Sequence, residues 1–388
     1  MLHTLAVENY RSLRRLVLPL RRLNVITGAN GSGKSNLYRA LRLLANFANN
    51  GAVSALAHEG GLPSTMWAGP QHVTKAMKQG KQAVQGTVRT GPVSLKLGFA
   101  GDDFGYAADL GLPVPADTAF GLDPEIKVEC LWAGPVLRTS GIIASRGGPT
   151  AKVRDADGRW HTIREALRPF DSMLSELADP VRAPELMRMR ERIRSWRFYD
   201  HLRTDAFAPA RAAQIGTRTP VLSHDGADLA AALQTIAEIG DAAALEEAID
   251  LAFEGSRLSV RNDNGRFELL LRQPGMLRPL TAAELSDGTL RYLLWVAALL
   301  TPRPPELLVL NEPETSLHPD LLPALGKLIG SAARNAQLIV VTHASALADV
   351  LEKQPVDVQM TQLVKELGET TVEGQGRLDS PLWYWPDR

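Results

Sequence analysis

The chain reads Gly28-Ala29-Asn30-Gly31-Ser32-Gly33-Lys34-Ser35 directly after an apolar run at 23–26 and before a helical pattern at 37–44. The spacing is GxxxxGK[ST], and its flanks predict the strand, loop and helix that phosphate binding requires. The glycines let several backbone N–H groups point into one concavity, and the following helix adds the positive end of its dipole. Lys34 can reach the β- and γ-phosphates, and the Ser35 hydroxyl can bind Mg²⁺. The stretch predicts a nucleoside triphosphate site formed by Asn30, Gly31, Ser32, Gly33, Lys34, Ser35 and Asn36.

The bulk composition is that of an ordinary globular protein. A length of 388 residues suffices for two or three domains, or for one large domain with an insertion. Lys plus Arg and Asp plus Glu are equal at 43 each, so attraction to nucleic acid must come from a local patch. The single Cys130 excludes a disulfide framework and a cysteine-based zinc site. The longest apolar stretch, 292–300, is far shorter than the roughly 20 residues that span a bilayer. We therefore expect a cytoplasmic protein without a membrane segment.

Periodicity divides the chain into a β-rich N-terminal part and a C-terminal part in which helices and strands alternate. In the first part the patterns predict strands at 2–8, 13–20 and 23–27, a helix to about 47, a loop at 49–70, an antiparallel meander with runs at 83–89, 93–99, 126–132 and 135–143, and helices at 161–178 and 184–196. In the second part they predict a strand at 196–200, a loop at 205–220, helices at 226–239 and 243–253, a hairpin at 258–272, helices at 288–300, 320–334 and 345–352, and strands at 306–311 and 337–341. The final alternation predicts a parallel sheet covered by helices.

Three later segments add polar residues at helix and strand ends. Leu285–Thr289 opens a helix, where Ser286 is either a plain N-cap or part of an anion site. Leu307–Pro313 is a buried-strand pattern that ends in Asn311-Glu312, and 338–343 is another that ends in Thr342-His343. In a parallel sheet such tips lie together at the carboxyl edge.

Together these segments resemble the ABC-type ATPases, specifically the RecF/SMC-like branch with its AAA_21-type predicted ATPases. The matching stretches are Walker A at 28–35, the signature motif at 285–289, Walker B at 307–312, the D-loop at 316–319, the switch histidine at His343 and the strand–turn opening at 7–12. The resemblance covers about 1–48 and 205–350.

The resemblance implies an α/β fold, namely a P-loop ABC-type ATPase head with a mixed or parallel sheet, N-terminal antiparallel strands and a β-plus-helix insertion. The expected domains are a discontinuous head at 1–62 and 197–388 and an inserted region at 63–196. The resemblance also implies an ATP-dependent homodimer, packed head to tail, in which each ATP lies between one Walker A and the partner's signature. Carried over to this chain, Glu312 is the general base, His343 senses the γ-phosphate, and the trans contacts come from Ser286, Asp287 and Gly288.

Asn311 departs from the family pattern, which commonly has an Asp that supports Mg²⁺. An amide oxygen still accepts from a metal-bound water but brings no charge, so Ser35 and Asn311 would form a weaker metal site. Glu314 either substitutes for the missing charge or orients the D-loop. We expect ATP hydrolysis that is slow. The glutamine of the Q-loop is Gln71, Gln82 or Gln85.

Two further features concern partners. Seven arginines between 182 and 203 face few acidic residues, while Leu186, Met189, Ile193 and Trp196 recur at helical spacing. This helix either contacts the phosphate backbone of DNA or RNA, or packs on the core with its charges in solvent, which we prefer. The aromatic tail at 381–386 is expected to dock on the core or on a partner.

The leading functional hypothesis is an ATPase that dimerises on ATP and acts on DNA or a partner protein, as in genome maintenance or phage defence. The alternatives are the nucleotide-binding subunit of an ABC transporter and an ATP-gated switch with negligible hydrolysis. The turn at 9–12 and the long β-rich insertion argue against the transporter subunit.

Overall fold

The computed structural model describes residues 1–49, 51–70, 92–114, 117, 119–155, 157–177, 179–200, 202–376 and 379–388. The chain forms two compact units. The first comprises Met1–Arg21, Gly28–Trp196 and Thr361–Arg388, and the second comprises Arg22–Thr27 and Arg197–Met360. These units are defined by their internal contacts, whereas the expected domains, 1–62 with 197–388 and 63–196, separate an inserted segment from the head. The expected domain bounds therefore stay a prediction.

An antiparallel sheet of eight strands is the framework of the first unit. Its strands are β1 Leu2–Tyr10, β2 Leu13–Pro19, β4 Leu95–Gly101, β5 Phe104–Gly111, β6 Glu125–Ala133, β7 Ile142–Gly147, β8 Thr150–Arg154 and β9 Trp160–Arg164. The strand order is β2-β1-β4-β5-β6-β7-β8-β9, so all neighbours except β1 and β4 are consecutive in the chain. Val7 of β1 pairs with Leu16 on one side and with Leu97 on the other. The predicted N-terminal antiparallel strands and the antiparallel meander are confirmed, although the run at 83–89 lies outside the described residues. The run expected at 135–143 was wrong over most of its length, because the chain bends at Gly134, whose φ is 81°, and β7 begins only at Ile142 after the 3₁₀ turn Thr139–Gly141.

The helices of the first unit differ from the sequence prediction in two places. They are α1 Lys34–Ala48, α2 Ala52–His58, α3 Gly61–Thr65, α4 Met173–Glu176 and α5 Pro184–Ser195. The loop expected at 49–70 was wrong, because its alanines and leucines form α2 and α3 while Gly51 and Gly60 are the N-caps. The helix expected at 161–178 was also wrong, because pairing with β8 draws its first residues into β9.

The α5 helix has the predicted apolar stripe. Leu186, Met189 and Ile193 are buried. Several of its basic side chains form ion pairs within the first unit: Arg190 and Arg194 with Glu191 at 3.1 and 3.4 Å, and Arg192 with Asp103 at 3.8 Å. These pairs favour the packing role of this helix over a role in phosphate contact.

The aromatic tail docks on the large sheet, as predicted. Trp383 packs edge-on against Trp132 of β6 with ring centroids 5.7 Å apart, and against Trp385 at 5.2 Å. A Cβ on Gly98 would lie 2.6 Å from the Trp383 ring, so this glycine provides the space that the indole occupies. Arg388 then pairs with the buried Asp109 at 2.6 Å.

The second unit contains four parallel strands. These are β10 Arg197–Tyr199, β15 Leu307–Asn311, β16 Gln337–Val341 and β3 Leu23–Thr27, in that spatial order. Every residue of β16 is buried, which is typical of a parallel strand covered on both faces. The predicted parallel sheet is confirmed.

Helices cover this sheet, and a small antiparallel sheet completes the unit. The helices are α6 Leu229–Ile239, α7 Ala242–Ala252, α8 Asp287–Leu299, α9 Leu322–Ala332 and α10 Ser345–Glu352. The small sheet contains β11 Gln214–Ile215, β12 Arg257–Asp263, β13 Arg266–Arg272 and β14 Leu280–Thr281. The predicted tight turn between β12 and β13 is present, with Asn264 and Gly265 both at positive φ. No described helix has the length and apolarity that crossing a membrane would require.

A C-terminal hairpin was not predicted. It is formed by β17 Val358–Glu366 and β18 Glu369–Val372, with Leu367 and Gly368 at positive φ in the turn. Its polar, weakly alternating sequence resembles a solvated loop. The hairpin matters because it contacts the glycine-rich loop of the first unit.

Replacing Trp383 by Ala should lower the free energy of unfolding by about 2 kcal/mol, because a partly buried indole that packs on Trp132 is lost. Guanidinium unfolding followed by circular dichroism measures this change. Tyr384, the neighbouring tail residue, is 56% exposed, so Tyr384→Ala should change stability by less than about 0.5 kcal/mol. Equal effects of the two substitutions would contradict the docking.

Candidate functional site

The loop between β3 and α1 has glycine where its backbone is left-handed and crowded. The φ angles are 144° at Gly28 and 111° at Gly33. A Cβ at Gly28 would lie 2.3 Å from the carbonyl oxygen of Leu363, and a Cβ at Gly33 would lie 2.1 Å from Oγ1 of Thr370. Both neighbours belong to the C-terminal hairpin within the same unit. The hairpin therefore defines one side of the loop and leaves no room for side chains there.

Lys34 is folded back over this loop. It is the first residue of α1 and is buried, and its Nζ donates to the carbonyl oxygens of Gly28 at 2.5 Å and Ala29 at 3.1 Å. Ser35 and Asn30 are exposed. The N-cap of α1 is Gly33, so no side chain accepts from the first-turn N–H groups of this helix. Free N–H groups, a hydroxyl and an ammonium at one helix start form an anion site.

A hydrogen-bond network stabilises the loop. Thr370 is fully buried, and its Oγ1 donates to the carbonyl oxygen of Ser32 at 2.7 Å. The same hydroxyl lies 2.7 Å from Oγ of Ser12, which accepts a 2.8 Å bond from Nδ2 of Asn36. The Thr370 N–H also donates to the Ser12 carbonyl oxygen at 2.8 Å. The hairpin, the turn after β1 and the start of α1 are thereby joined around the loop.

The turn between β1 and β2 is itself anchored. Asn9 and Arg11 both have positive φ, at 64° and 50°. The Tyr10 hydroxyl and the Arg11 guanidinium donate to the same oxygen of Glu59, each at 2.7 Å. Burial, reinforced by the Glu59 carboxylate, raises the pKa of Tyr10 above its usual value. This anchoring holds Ser12 in the place from which it supports the loop.

The catalytic candidates of the second unit lie at the carboxyl edge of the parallel sheet. Asn311 ends β15, and the N–H of Glu312 continues the ladder by donating to the carbonyl oxygen of Val341 at 2.7 Å. The Thr342 N–H similarly donates to Ile26 at 3.0 Å. Glu312 has a φ of 49°, which is rare for a residue with a long side chain. Such strain is kept only where the surrounding structure imposes it, and it often marks a functional position.

His343 lies between two carboxylates. Its Nδ1 is 3.8 Å from Oε1 of Glu312 and 3.3 Å from Oε1 of Glu314. Glu312 and His343 are about half exposed, at 41% and 50%, whereas Glu314 is buried. Glu314 Oε1 also accepts from the Thr342 hydroxyl at 2.6 Å and from the N–H groups of His343 and Ala344 at 3.1 and 3.3 Å. Glu314 therefore holds the turn that carries the histidine.

The signature segment and the D-loop meet within the second unit. Ser286 is the N-cap of α8 and its Oγ accepts from the N–H of Thr289 at 3.1 Å. A Cβ on Gly288 would lie 3.0 Å from the carbonyl oxygen of Ser316, whose own φ is 65°. Burial lowers the pKa of the Arg291 guanidinium, one turn along α8, and the carboxylate of Asp287 opposes that shift. A side chain at position 288 would therefore crowd the D-loop.

The predicted site residues are thus placed in three groups. Asn30 to Asn36 lie in the first unit, Asn311, Glu312 and His343 share one sheet edge of the second, and Ser286, Asp287 and Gly288 lie beside the D-loop. Their roles stay predictions. The three Q-loop candidates Gln71, Gln82 and Gln85 lie outside the described residues. Thr370 was missed, since a threonine in a polar hairpin carries no signal in the sequence.

Each unit, taken by itself, has side chains of the kind that bind a magnesium nucleotide. Within the described residues, the buried Oγ of Ser32 and Oδ1 of Asn311 have no hydrogen-bond partner. Buried polar atoms are rarely left unpaired, so each is available to a ligand or an ordered water. Ser35 offers a hydroxyl oxygen of the kind that Mg²⁺ prefers, and Asn311 an amide oxygen that accepts from a metal-bound water.

Comparison with known families identifies the chain's relatives. The family model of AAA_21, described as "AAA domain, putative AbiEii toxin, Type IV TA system", matches residues 23–349. That range contains the glycine-rich loop, the signature segment, the strand edge and His343. No curated protein matches the chain.

Solved structures that match the chain include heads of SMC proteins. An SMC head bound to the C-winged helix domain of ScpA has a TM-score of 0.50 and 14% sequence identity, and the match covers 96% of this chain and 97% of that one. The SMC heads from Thermotoga maritima and Pyrococcus furiosus have TM-scores of 0.42 and 0.47 with 14% and 13% identity; the matches cover 96% of this chain in both cases and 97% and 95% of theirs. The likeness to the first head shows a shared fold, in agreement with the expected ABC-type ATPase head.

Replacing Thr370 by Val should weaken nucleotide binding about tenfold. The substitution keeps the side-chain volume but removes the bonds to Ser32 and Ser12, each of which contributes about 1 kcal/mol. Titration calorimetry with ADP measures the affinity. Thr371, the next residue of β18, is partly exposed, and Thr371→Val should leave the affinity unchanged. Wild-type affinity for Thr370→Val would show that the loop does not need this brace.

Proposed function

The chain belongs to the AAA_21 family of SMC-like P-loop ATPases, and on that premise we propose that it binds ATP with Mg²⁺ and hydrolyses the nucleotide in a composite site built by two copies packed head to tail. The observation that carries the proposal is the strained Glu312 at the sheet edge, half exposed and 3.8 Å from His343. Chain connectivity supports it as well, because β3 ends at Thr27 and the glycine-rich loop begins at Gly28.

The cis half of the proposed site binds the phosphates. The loop N–H groups and the start of α1 supply fixed dipoles, and Lys34 exchanges its two loop carbonyls for phosphate oxygens when nucleotide enters. Ser35 and Asn311 would hold Mg²⁺ or its water ligands. Mg²⁺ held there would supply positive charge opposite the phosphoryl oxygens.

Hydrolysis requires a base and a polar group near the terminal phosphate. Glu312 accepts a proton from the attacking water in this proposal, and its partial exposure leaves that carboxylate accessible. His343 contacts the γ-phosphate through its ring. The turn that carries this histidine is held by Glu314, so the ring is positioned before nucleotide binds.

The trans half comes from the second copy. Ser286, Asp287 and Gly288 open α8, a helix of 13 residues whose first N–H groups lack intrahelical acceptors. The Ser286 hydroxyl and the Gly288 N–H would donate to the γ-phosphate of the partner's ATP. This arrangement makes pairing of the two copies depend on ATP.

The paired state would act on DNA or on a partner protein. The ion pairs on α5 leave few of its charges for DNA. Phosphate-release assays with and without duplex DNA test directly whether DNA is the partner. Stimulation that disappears at high salt would identify DNA as the partner. An ATP-gated switch with little hydrolysis is a second candidate, favoured by the uncharged Asn311.

Replacing Glu312 by Gln should reduce phosphate release by at least about 100-fold, because the base is lost while the shape is kept. Light scattering with ATP should show a stable dimer, since bound ATP is no longer consumed. Glu352, exposed at the end of α10, provides the control Glu352→Gln, which should behave as wild type. Undiminished turnover in Glu312→Gln would exclude Glu312 as the base, and a monomer in ATP would exclude the composite site.

Replacing Asn311 by Asp should raise the apparent Mg²⁺ affinity roughly tenfold and increase turnover, because a carboxylate near the cation adds on the order of 1–2 kcal/mol of attraction. Phosphate release measured over a Mg²⁺ titration, together with nucleotide affinity at each Mg²⁺ concentration, reports both effects. The exposed Asn335 supplies the control Asn335→Asp. An unchanged Mg²⁺ dependence would show that position 311 is not linked to the metal.

A further inference from the structure

Arg211 makes an unusual number of contacts with the signature region. It ends the 3₁₀ turn Pro209–Arg211, and its side chain is only 10% exposed. Nη1 donates to three carbonyl oxygens of the segment that leads into the signature: Ala282 at 3.0 Å, Ala283 at 3.2 Å and Leu285 at 2.7 Å. One nitrogen therefore collects the carbonyls of the turn that leads into the signature.

The remaining nitrogens of Arg211 extend these contacts to both sides. Nε donates to the carbonyl oxygens of Thr204 at 3.0 Å and Asp205 at 3.1 Å, and Nη2 donates to Thr204 at 2.8 Å. Nη2 also pairs with Oδ1 of Asp287 at 2.7 Å. The guanidinium thus ties the segment 204–205 to the turn before α8 and to the first residue of α8.

Ser286 lies between two groups that Arg211 binds. The Leu285 carbonyl precedes it and the Asp287 carboxylate follows it. The turn before them also has its own support, a capping box between Thr281 and Glu284. Since the turn is capped independently, the contacts of Arg211 mainly determine how Ser286 and the start of α8 are oriented.

We propose that Arg211 is a positioning residue for the signature, which holds Ser286 and Gly288 in the orientation needed to meet ATP bound by a second copy. The inference rests on the proposed composite site. It assigns a role in trans to a side chain that does not itself touch nucleotide.

The chemistry requires arginine at this position. A guanidinium offers five donors in a fixed planar fork, and here they serve five carbonyls and one carboxylate through shared bonds. A lysine has the charge but only one nitrogen, so it can keep the pair with Asp287 or the carbonyl contacts, not both. Arg211→Lys is therefore a graded variant and Arg211→Gln the full one.

The experiment separates trans from cis function by mixing variants. Arg211→Gln keeps an intact glycine-rich loop, whereas Lys34→Ala keeps an intact signature. Each alone should release phosphate at least about 100-fold more slowly than wild type, the loss expected when transition-state donors are misplaced. An equimolar mixture should release phosphate well above the sum of the two, because one of the two sites in a mixed pair is complete.

Nucleotide affinity and a matched arginine variant provide the controls. Arg211→Gln and Arg211→Lys should bind trinitrophenyl-ATP within about twofold of wild type, since binding in cis is untouched. Arg261→Gln removes an exposed arginine paired with Glu268 and should leave both binding and turnover unchanged. Loss of nucleotide binding in both Arg211 variants would assign a merely structural role and overturn the inference.

The remaining outcomes distinguish this inference from the proposed function. If Glu312→Gln does not dimerise with ATP, the composite site itself is wrong. If Glu312→Gln dimerises but Arg211→Gln hydrolyses ATP at the wild-type rate, or the mixture shows no recovery, then Arg211 does not position the signature. Recovery of phosphate release in the mixture, together with dimerisation of Glu312→Gln in ATP, supports both the composite site and the role of Arg211.

Discussion

The register of the parallel strands β15, β16 and β3 is the constraint on which the edge with Asn311, Glu312 and His343 depends. Leu310 pairs with Val340, and Val340 pairs with Val25, so the three strands end level with one another. The backbone bonds from Glu312 to Val341 and from Thr342 to Ile26 extend the ladder past the last strand residues. A slip of one residue would turn every side chain to the opposite face, and the buried side chains of β16 would then have to repack on both sides of the sheet.

The sheet tolerates the buried carboxylate of Glu314 at this edge because one of its two oxygens accepts three hydrogen bonds. Glu314 is 8% exposed, and its Oε1 receives donors from Thr342, His343 and Ala344. Burial of a charged group is costly unless hydrogen bonds replace water. The bonds that offset this cost are the same bonds that shape the turn before α10. Stability of the sheet edge and orientation of His343 thus depend on one side chain.

Much of this arrangement could be predicted from the sequence, because its parts are local. The apolar run 338–341 with Thr342-His343 at its tip, and the glycine spacing at 28–33, are patterns in which neighbouring residues determine the structure. The α2 and α3 helices, β9 and the β17–β18 hairpin were not predicted although they contact neighbours in the chain, because their sequences do not alternate or repeat clearly enough. Support of the sites could not be predicted for a different reason: 338 positions separate Ser32 from the Thr370 hydroxyl that holds it. Because every residue has a backbone carbonyl, the sequence of the motif does not indicate which distant side chain binds one of them.

These distant supports share one physical principle. In a trans peptide the carbonyl and the N–H of the next residue point in opposite directions. When Thr370 holds the Ser32 carbonyl, the N–H of Gly33 is turned away from the hairpin. When Arg211 holds the Leu285 carbonyl, the N–H of Ser286 is turned away from the guanidinium. In both segments a side chain far along the chain therefore binds a carbonyl, and the N–H that follows this carbonyl is directed away from that side chain.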